Sequence, residues 1–213
     1  MSRTIAVIDY GMGNLRSVAK AIEHVAGPGD RVLVTDQPQR ILSADRVVFP
    51  GQGAARDCMA AISEHHLNRA VLDAAHSKPF FGICMGMQVL LGHSDENGGT
   101  DLLGLFPGNV TRFPEGQVVN GQRLKIPQMG WNRVSQCSPH PLWEGVGQGS
   151  RFYFVHSYYV QPKDPGLVAA TTDYGVEFPS VLARDNLFAT QFHPEKSAEA
   201  GLCLLRNFLD WVI

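Results

Sequence analysis

The amino-acid sequence predicts an α/β fold: an open mixed sheet, mostly parallel at its centre with antiparallel additions, and helices on both faces. Three observations predict it. Short β-rich runs alternate with helical periodicity through the first half of the chain. The second half holds closely spaced β runs separated by Gly, Pro and Asn, the punctuation of antiparallel hairpins. A last amphipathic stretch closes the chain, and no internal repeat, low-complexity tract or linker interrupts it.

The elements follow in order. Thr4–Asp9 reads as a buried strand, and Asn14–Ala26 as a helix with Leu15, Val18, Ile22 and Val25 at helical spacing. Gly27-Pro28-Gly29-Asp30 ends that helix. Arg31–Thr35 and Arg46–Phe49 are the second and third strands, and Ala54–Ala75 is a helix of several turns. Pro79–Ile83 is a fourth strand running into an apolar helix from Gly86. Such a βαβαβ series demands parallel strands joined by crossover helices. Val110–Val134 reads as hairpins, and Phe152–Val160, Leu167–Thr172, Pro179–Ala183 and Leu187–Phe192 as further strands. Ser197–Val212 is the closing helix, with Leu202, Leu205 and Leu209 on one face and Ser197 as its candidate N-cap.

At 213 residues the chain can bury one sizeable core, and the expectation is a single domain over 1–213. With 44% apolar residues, 18% charged residues and a formal charge of −2, it reads as an ordinary soluble protein. Basic residues are scattered, which argues against a nucleic-acid surface. No segment has the ~18 uninterrupted apolar residues of a membrane span, and the amino-terminal apolar run is too short for a signal peptide, so a cytoplasmic location is expected. The cysteines at 58, 84, 137 and 203 contain no C-x-x-C pair, against both a disulfide framework and a zinc ribbon. No metal site is expected: Cys137-Ser138-Pro139-His140 and His65-His66 lack a second matched pair. Gly11-Met12-Gly13 is not a dinucleotide fingerprint, since Arg16 stands at its third glycine position.

Chemistry concentrates in three stretches. In Phe80-Phe81-Gly82-Ile83-Cys84-Met85-Gly86-Met87-Gln88 a strand ends, a glycine-flanked cysteine follows, and a helix begins. This is the grammar of a nucleophile elbow, whose strained turn needs small neighbours and whose helix N-terminus favours a thiolate. Taken alone, it stands evenly against a buried structural cysteine. The second stretch, Ala189 to Ser197, is a β run stopping at His193-Pro194-Glu195. A nucleophilic cysteine needs a base and a carboxylate that orients it, and His193 and Glu195 supply both. Pro194 restricts His193 to an extended backbone. The third, Val47 to Ala54, ends a strand in Pro50-Gly51-Gln52-Gly53, a turn able to point backbone N–H groups into a shared crevice. Considered by itself it is equally an ordinary βα turn.

Together these motifs resemble the class I (triad-type) glutamine amidotransferases. Within them the chain is similar to the glutaminase subunits of imidazole glycerol phosphate synthase, through Asp9 to Arg16, Ile126 to Asn132 and Phe154 to Tyr159. The resemblance covers essentially the whole chain. It implies Cys84 as nucleophile, His193 as base then acid, and Glu195 as orienting carboxylate. It further implies backbone N–H groups of Gly53 and Met85 as the oxyanion hole, with Gln88, Glu96, Ser157 and Tyr158 holding glutamine. No cofactor is implied. The implied partner is a (β/α)8-barrel cyclase, in a heterodimer that receives ammonia and completes an imidazole ring in histidine biosynthesis, with Asn14, Arg16 and the loop around Gln128 toward it. Gln52, whose peptide the resemblance expects to flip on partner binding, replaces a small aliphatic residue of many relatives. Gln128 replaces a histidine. Two rival readings keep the fold: ammonia delivered to anthranilate, purine or pyridoxal phosphate synthesis, and an amidotransferase-like binding subunit without turnover. The first is opposed by the amino-terminal and middle motifs, the second by the presence of Cys84, His193 and Glu195.

Overall fold

A computed structural model describes residues 2–119 and 121–213. The first strand, β1 (Thr4–Ile8), leads into α1 (Leu15–Val25), then β2 (Arg31–Thr35), α2 (Pro38–Ser43) and β3 (Arg46–Gly51). Next come α3 (Ala55–Glu64), α4 (Asn68–Ser77), β4 (Phe80–Cys84) and the short α5 (Met85–Gln88). The closing helix is α6 (Ala198–Asp210).

The main sheet is the predicted one. Strands β2, β1, β3, β4 and Leu187–Thr190 pair in parallel in that order. Glu177–Arg184, Val168–Asp173 and Ser135–Gln136 then extend it antiparallel. Because the central strands are covered on both faces, their residues are apolar at every position rather than at alternate ones. Ile5 and Val7 of β1 enter a core shared with α1 and α6, whereas Ala6 and Ile8 enter one shared with α2, α3 and α4. Phe81 sits in the first core between Phe188 and Phe208, with ring centroids at 5.7 and 5.2 Å. Each such aromatic pair adds about 0.5–1.5 kcal/mol beyond the area it buries.

Several expected boundaries move. The stretch Ala54–Ala75 is not one helix: α3 ends at Glu64, His66 takes φ +55°, and α4 starts at Asn68. Both pieces bury residues in the second core, Cys58 and Ile62 from α3 and Val71 and Ala74 from α4. The helix α2 was not anticipated; it starts on Pro38 at its first position, where a missing N–H costs nothing. The apolar helix expected from Gly86 lasts a single turn. Phe152–Val160 divides at Ser157 into Arg151–His156, paired with Gln128–Arg133, and Tyr158–Pro162, paired with Gly108–Arg112. The hairpin region accordingly feeds separate small sheets. Ser197 occupies the N-cap position of α6 but makes no capping hydrogen bond, its hydroxyl being used elsewhere.

No helix among the described residues is long and apolar enough to cross a membrane.

Candidate active site

The carboxyl ends of β3, β4 and Leu187–Thr190 lie side by side, so the segments leaving them face one crevice. At the end of β4, Cys84 has φ +54° and ψ −108°, a conformation costly for any residue with a side chain. Gly86 permits this turn: a Cβ there would stand 1.8 Å from the Phe49 carbonyl oxygen, so only glycine lets α5 settle on β3. The sharp turn leaves Cys84, 6% exposed as a residue, at a pocket wall. Met85 opens α5, and its N–H has no intrahelical carbonyl to bond.

The His193 backbone is fixed from both sides. Its N–H donates to the Tyr153 carbonyl at 2.9 Å, and its carbonyl accepts from the Ser197 hydroxyl at 2.6 Å. The same hydroxyl accepts from the Tyr153 N–H at 2.9 Å, which explains why Ser197 does not cap α6. The Nδ1 atom of His193 lies 2.9 Å from Glu195 Oε1, both side chains being almost fully buried. Hydrogen-bonded this way, Nδ1 carries its proton and Nε2 is left as the reactive nitrogen. Nε2 has no hydrogen-bond partner, nor does Glu195 Oε2. Burial alone would lower the imidazole pKa, but Cys84 and then Glu195 outweigh it and raise the value to about 10. The two neighbours thus favour the charged imidazolium, the form that His193 takes on accepting the Cys84 proton.

A cleft of about 400 Å³ brings Cys84, His193, Gly53, Met85, Gln88, Glu96, Ser157 and Tyr158 together, with Gln52 and Lys196 also on its walls. That volume suits a small metabolite. Glu195 stands behind His193 in an adjoining crevice with no room for a ligand. Glu96 accepts from the Ala55 N–H through one oxygen at 2.7 Å, leaving the other for a ligand. Gln88 commits its amide nitrogen to the Tyr158 carbonyl at 3.1 Å and Gln191 Oε1 at 2.9 Å, so only its oxygen is free. Tyr158 thus enters the site partly through its backbone.

Sequence reasoning assigned no role to Gln191. Its amide donates toward the Cys84 sulfur at 3.7 Å while its oxygen is held by Gln88, so two buried amides form a relay ending on the nucleophile. Its position two residues before His193 in an apolar run was the available signal. Gln128 is 2% exposed and lies with its amide oxygen 2.9 Å from Nε2 of His156, a cleft residue. Its neighbours alternate outward: Met129 is 65% and Trp131 44% exposed.

Known proteins of one family share this sequence and this fold. The family Glutamine amidotransferase class-I matches residues 6–211. The chain is 59% identical over 209 residues to the imidazole glycerol phosphate synthase subunit HisH of Aromatoleum aromaticum, covering 97% of this chain and 98% of that one. It is 60% identical over 213 residues to the protein of the same name from Thiobacillus denitrificans, covering 99% and 92%. Among solved structures, that of PurLQS from Thermotoga maritima superposes with a TM-score of 0.73 at 18% identity, covering 99% of both chains. A second, a Thermotoga maritima glutamine amidotransferase, gives 0.64 at 16% identity, covering 99% and 97%. By the family match and by relatives of this identity and coverage, the chain belongs to the class I glutamine amidotransferases.

Proposed function

We propose that this chain, acting as one domain over residues 1–213, is the glutaminase subunit of an imidazole glycerol phosphate synthase. The observation that carries the chemistry is that Cys84 and His193 line one glutamine-sized cleft, with Glu195 bonded to the imidazole from behind. The pathway assignment is supported by the names of relatives near 60% identity over almost the whole chain.

The Cys84 thiol gives its proton to His193 Nε2, and the sulfur attacks the carboxamide carbon of glutamine. Negative charge grows on the carbonyl oxygen, where the N–H groups of Gly53 and Met85 receive it. One such donor is worth about 10²–10³ in rate. As the C–N bond breaks, His193 returns the proton to the departing nitrogen, releasing ammonia and leaving a glutamyl thioester. Water then attacks the thioester with His193 as base, and glutamate and the free thiol are restored. Glu195 holds the imidazole in register and stabilises its charged form throughout. Glu96, with one free carboxylate oxygen, suits the α-amino group of the substrate, and the free oxygen of Gln88 and the Ser157–Tyr158 segment complete its polar contacts.

The partner in this reading is a (β/α)8-barrel cyclase that takes up the ammonia. The ribbon Gln128–Arg133 supports it, since Met129 and Trp131 form an exposed apolar pair beside the cleft. The test is glutamine hydrolysis by the purified chain alone, with the cyclase, and with the cyclase plus its nucleotide ligand. Activity that is low alone and rises strongly in the last arm is expected. Full turnover by a Cys84→Ala protein would overturn the chemistry, and indifference to the cyclase would overturn the pathway.

A further inference from the structure

Gln128 and His156, both buried, are cross-strand partners on the ribbon of Gln128–Arg133 and Arg151–His156. Nδ1 of His156 lies 2.8 Å from the Tyr158 carbonyl oxygen, and its Nε2 lies 2.9 Å from Oε1 of Gln128. Both neighbours are acceptors. A neutral imidazole has one N–H and can satisfy only one of them. A doubly protonated ring would satisfy both, but burial, with a smaller push from His193, holds the His156 pKa down at about 4, so the ring is neutral at neutral pH.

One of the two contacts must then change. The Tyr158 carbonyl belongs to the backbone and cannot turn, so the ring proton sits on Nδ1 and Nε2 presents a lone pair. Against the Gln128 oxygen that lone pair would meet another at 2.9 Å, while the Gln128 amide nitrogen is buried with no partner. Turning the amide end for end moves no neighbouring atom and removes both faults, because the nitrogen then donates to Nε2.

The Tyr158 carbonyl is where this pair meets the cleft. It accepts from His156 Nδ1 and also from the amide nitrogen of Gln88 at 3.1 Å, and the same nitrogen donates to Gln191 Oε1 at 2.9 Å. These two bonds set the orientation of the Gln88 side chain and of the oxygen it keeps free in the cleft. A chain of hydrogen bonds therefore runs from Gln128 through His156 and the Tyr158 carbonyl to Gln88.

We infer that Gln128 is a positioning residue for glutamine binding: its side-chain amide donates to His156 Nε2 and holds the ring with its Nδ1–H on the carbonyl that anchors Gln88. This role rests on the reading of Gln88 as a substrate contact. It lies in the seat of the substrate and not in the oxyanion hole, so it holds equally in a chain that turns over slowly alone.

Two measurements test it. Nitrogen-15 NMR of the histidine rings in the full chain reads the tautomer: a neutral His156 protonated at Nδ1 is expected at neutral pH, and a ring protonated at Nε2 overturns the proposal. Steady-state kinetics at saturating cyclase compare the native chain with Gln128→Met, which has a similar volume and no donor. The KM for glutamine should rise about three- to tenfold, the range of one lost neutral hydrogen bond, while kcat stays within about twofold. An unchanged KM overturns the proposal, as does a loss that falls mainly on kcat. Should Gln128→Met fail to fold, Gln128→Asn, whose amide stops one methylene short of the ring, is read by the same criteria. Gln88→Leu tells this failure from that of the underlying reading. If Gln88 holds glutamine, KM rises in Gln88→Leu whatever happens at position 128; if it does not, KM is unmoved in both.

Discussion

The side-chain amide of Gln191 donates toward the sulfur of Cys84 across 3.7 Å, while Gln88 holds the oxygen of that amide. A buried donor held against the sulfur fixes its place at the cleft wall. Replacing Gln191 with Met keeps the volume but removes the donor and leaves Gln88 with only the Tyr158 carbonyl as acceptor. Turnover should fall about ten- to a hundredfold, in line with ~1.5–3 kcal/mol for a hydrogen bond to a charged group. Steady-state glutaminase kinetics check it, together with a slower alkylation of Cys84.

Glu195→Gln tests the orienting carboxylate. It preserves a hydrogen bond to His193 Nδ1 but not the negative charge, and kcat should drop by roughly 10²–10⁴, the range spanned by analogous triads. The imidazole pKa, raised to about 10 by Cys84 and Glu195 against burial, should move down in the variant. An NMR titration of the His193 ring reads this directly, and an unmoved titration would contradict the geometry described.

Stability should have a defined pH profile. Burial pushes both His140 and His156 down to about 4. Between that value and the ordinary ~6.5 the unfolded chain binds protons that the folded chain refuses, so stability falls as pH falls through this window. His193 works in the opposite sense, its stabilising contribution being complete below ~6.5 and lost as pH rises toward about 10. Urea unfolding should therefore show a maximum near pH 6.5. His140→Asn retains an acceptor for the Leu142 N–H, which His140 Nδ1 now accepts at 3.1 Å, and should reduce the acid slope without abolishing it.

Gly86→Ala should be among the most damaging single-methyl changes. The new carbon would overlap the Phe49 carbonyl oxygen at 1.8 Å, backbone against backbone, with no flexible side chain to yield. A loss above ~3 kcal/mol or failure to accumulate folded protein is expected, measured by thermal melting.

Trp131→Ala addresses the surface proposed to meet the cyclase. The side chain is 44% exposed, so folding stability should change little, while affinity for the cyclase should weaken by about 1–3 kcal/mol. Titration calorimetry together with a melting curve separates the two effects.

Much of this was legible in the sequence because the reacting groups sit at strand ends, where Gly, Pro and charged residues interrupt apolar runs. Cys84, His193 and Glu195 announce themselves in that way. Gln191 does not, since a polar residue inside a strand reads as an outward position until the fold shows it buried. The break at His65–Leu67 was invisible for a related reason: no Gly or Pro marks it, and apolar spacing continues across it. Ser157 hid the most consequential error, because a run that changes sheets keeps its β composition on both sides.

The ribbon formed by Gln128–Arg133 and Arg151–His156 has a further consequence. Val155, the cross-strand neighbour of Met129, reaches the cleft wall from the face that carries Met129 and Trp131, while His156 reaches it from the opposite face. Two strands this thin transmit load: a protein resting on Met129 and Trp131 and a metabolite lying against Val155 and His156 must settle on one common curvature. Occupancy on either side should then slow amide hydrogen exchange along the same pairs, from Gln128 with His156 to Arg133 with Arg151.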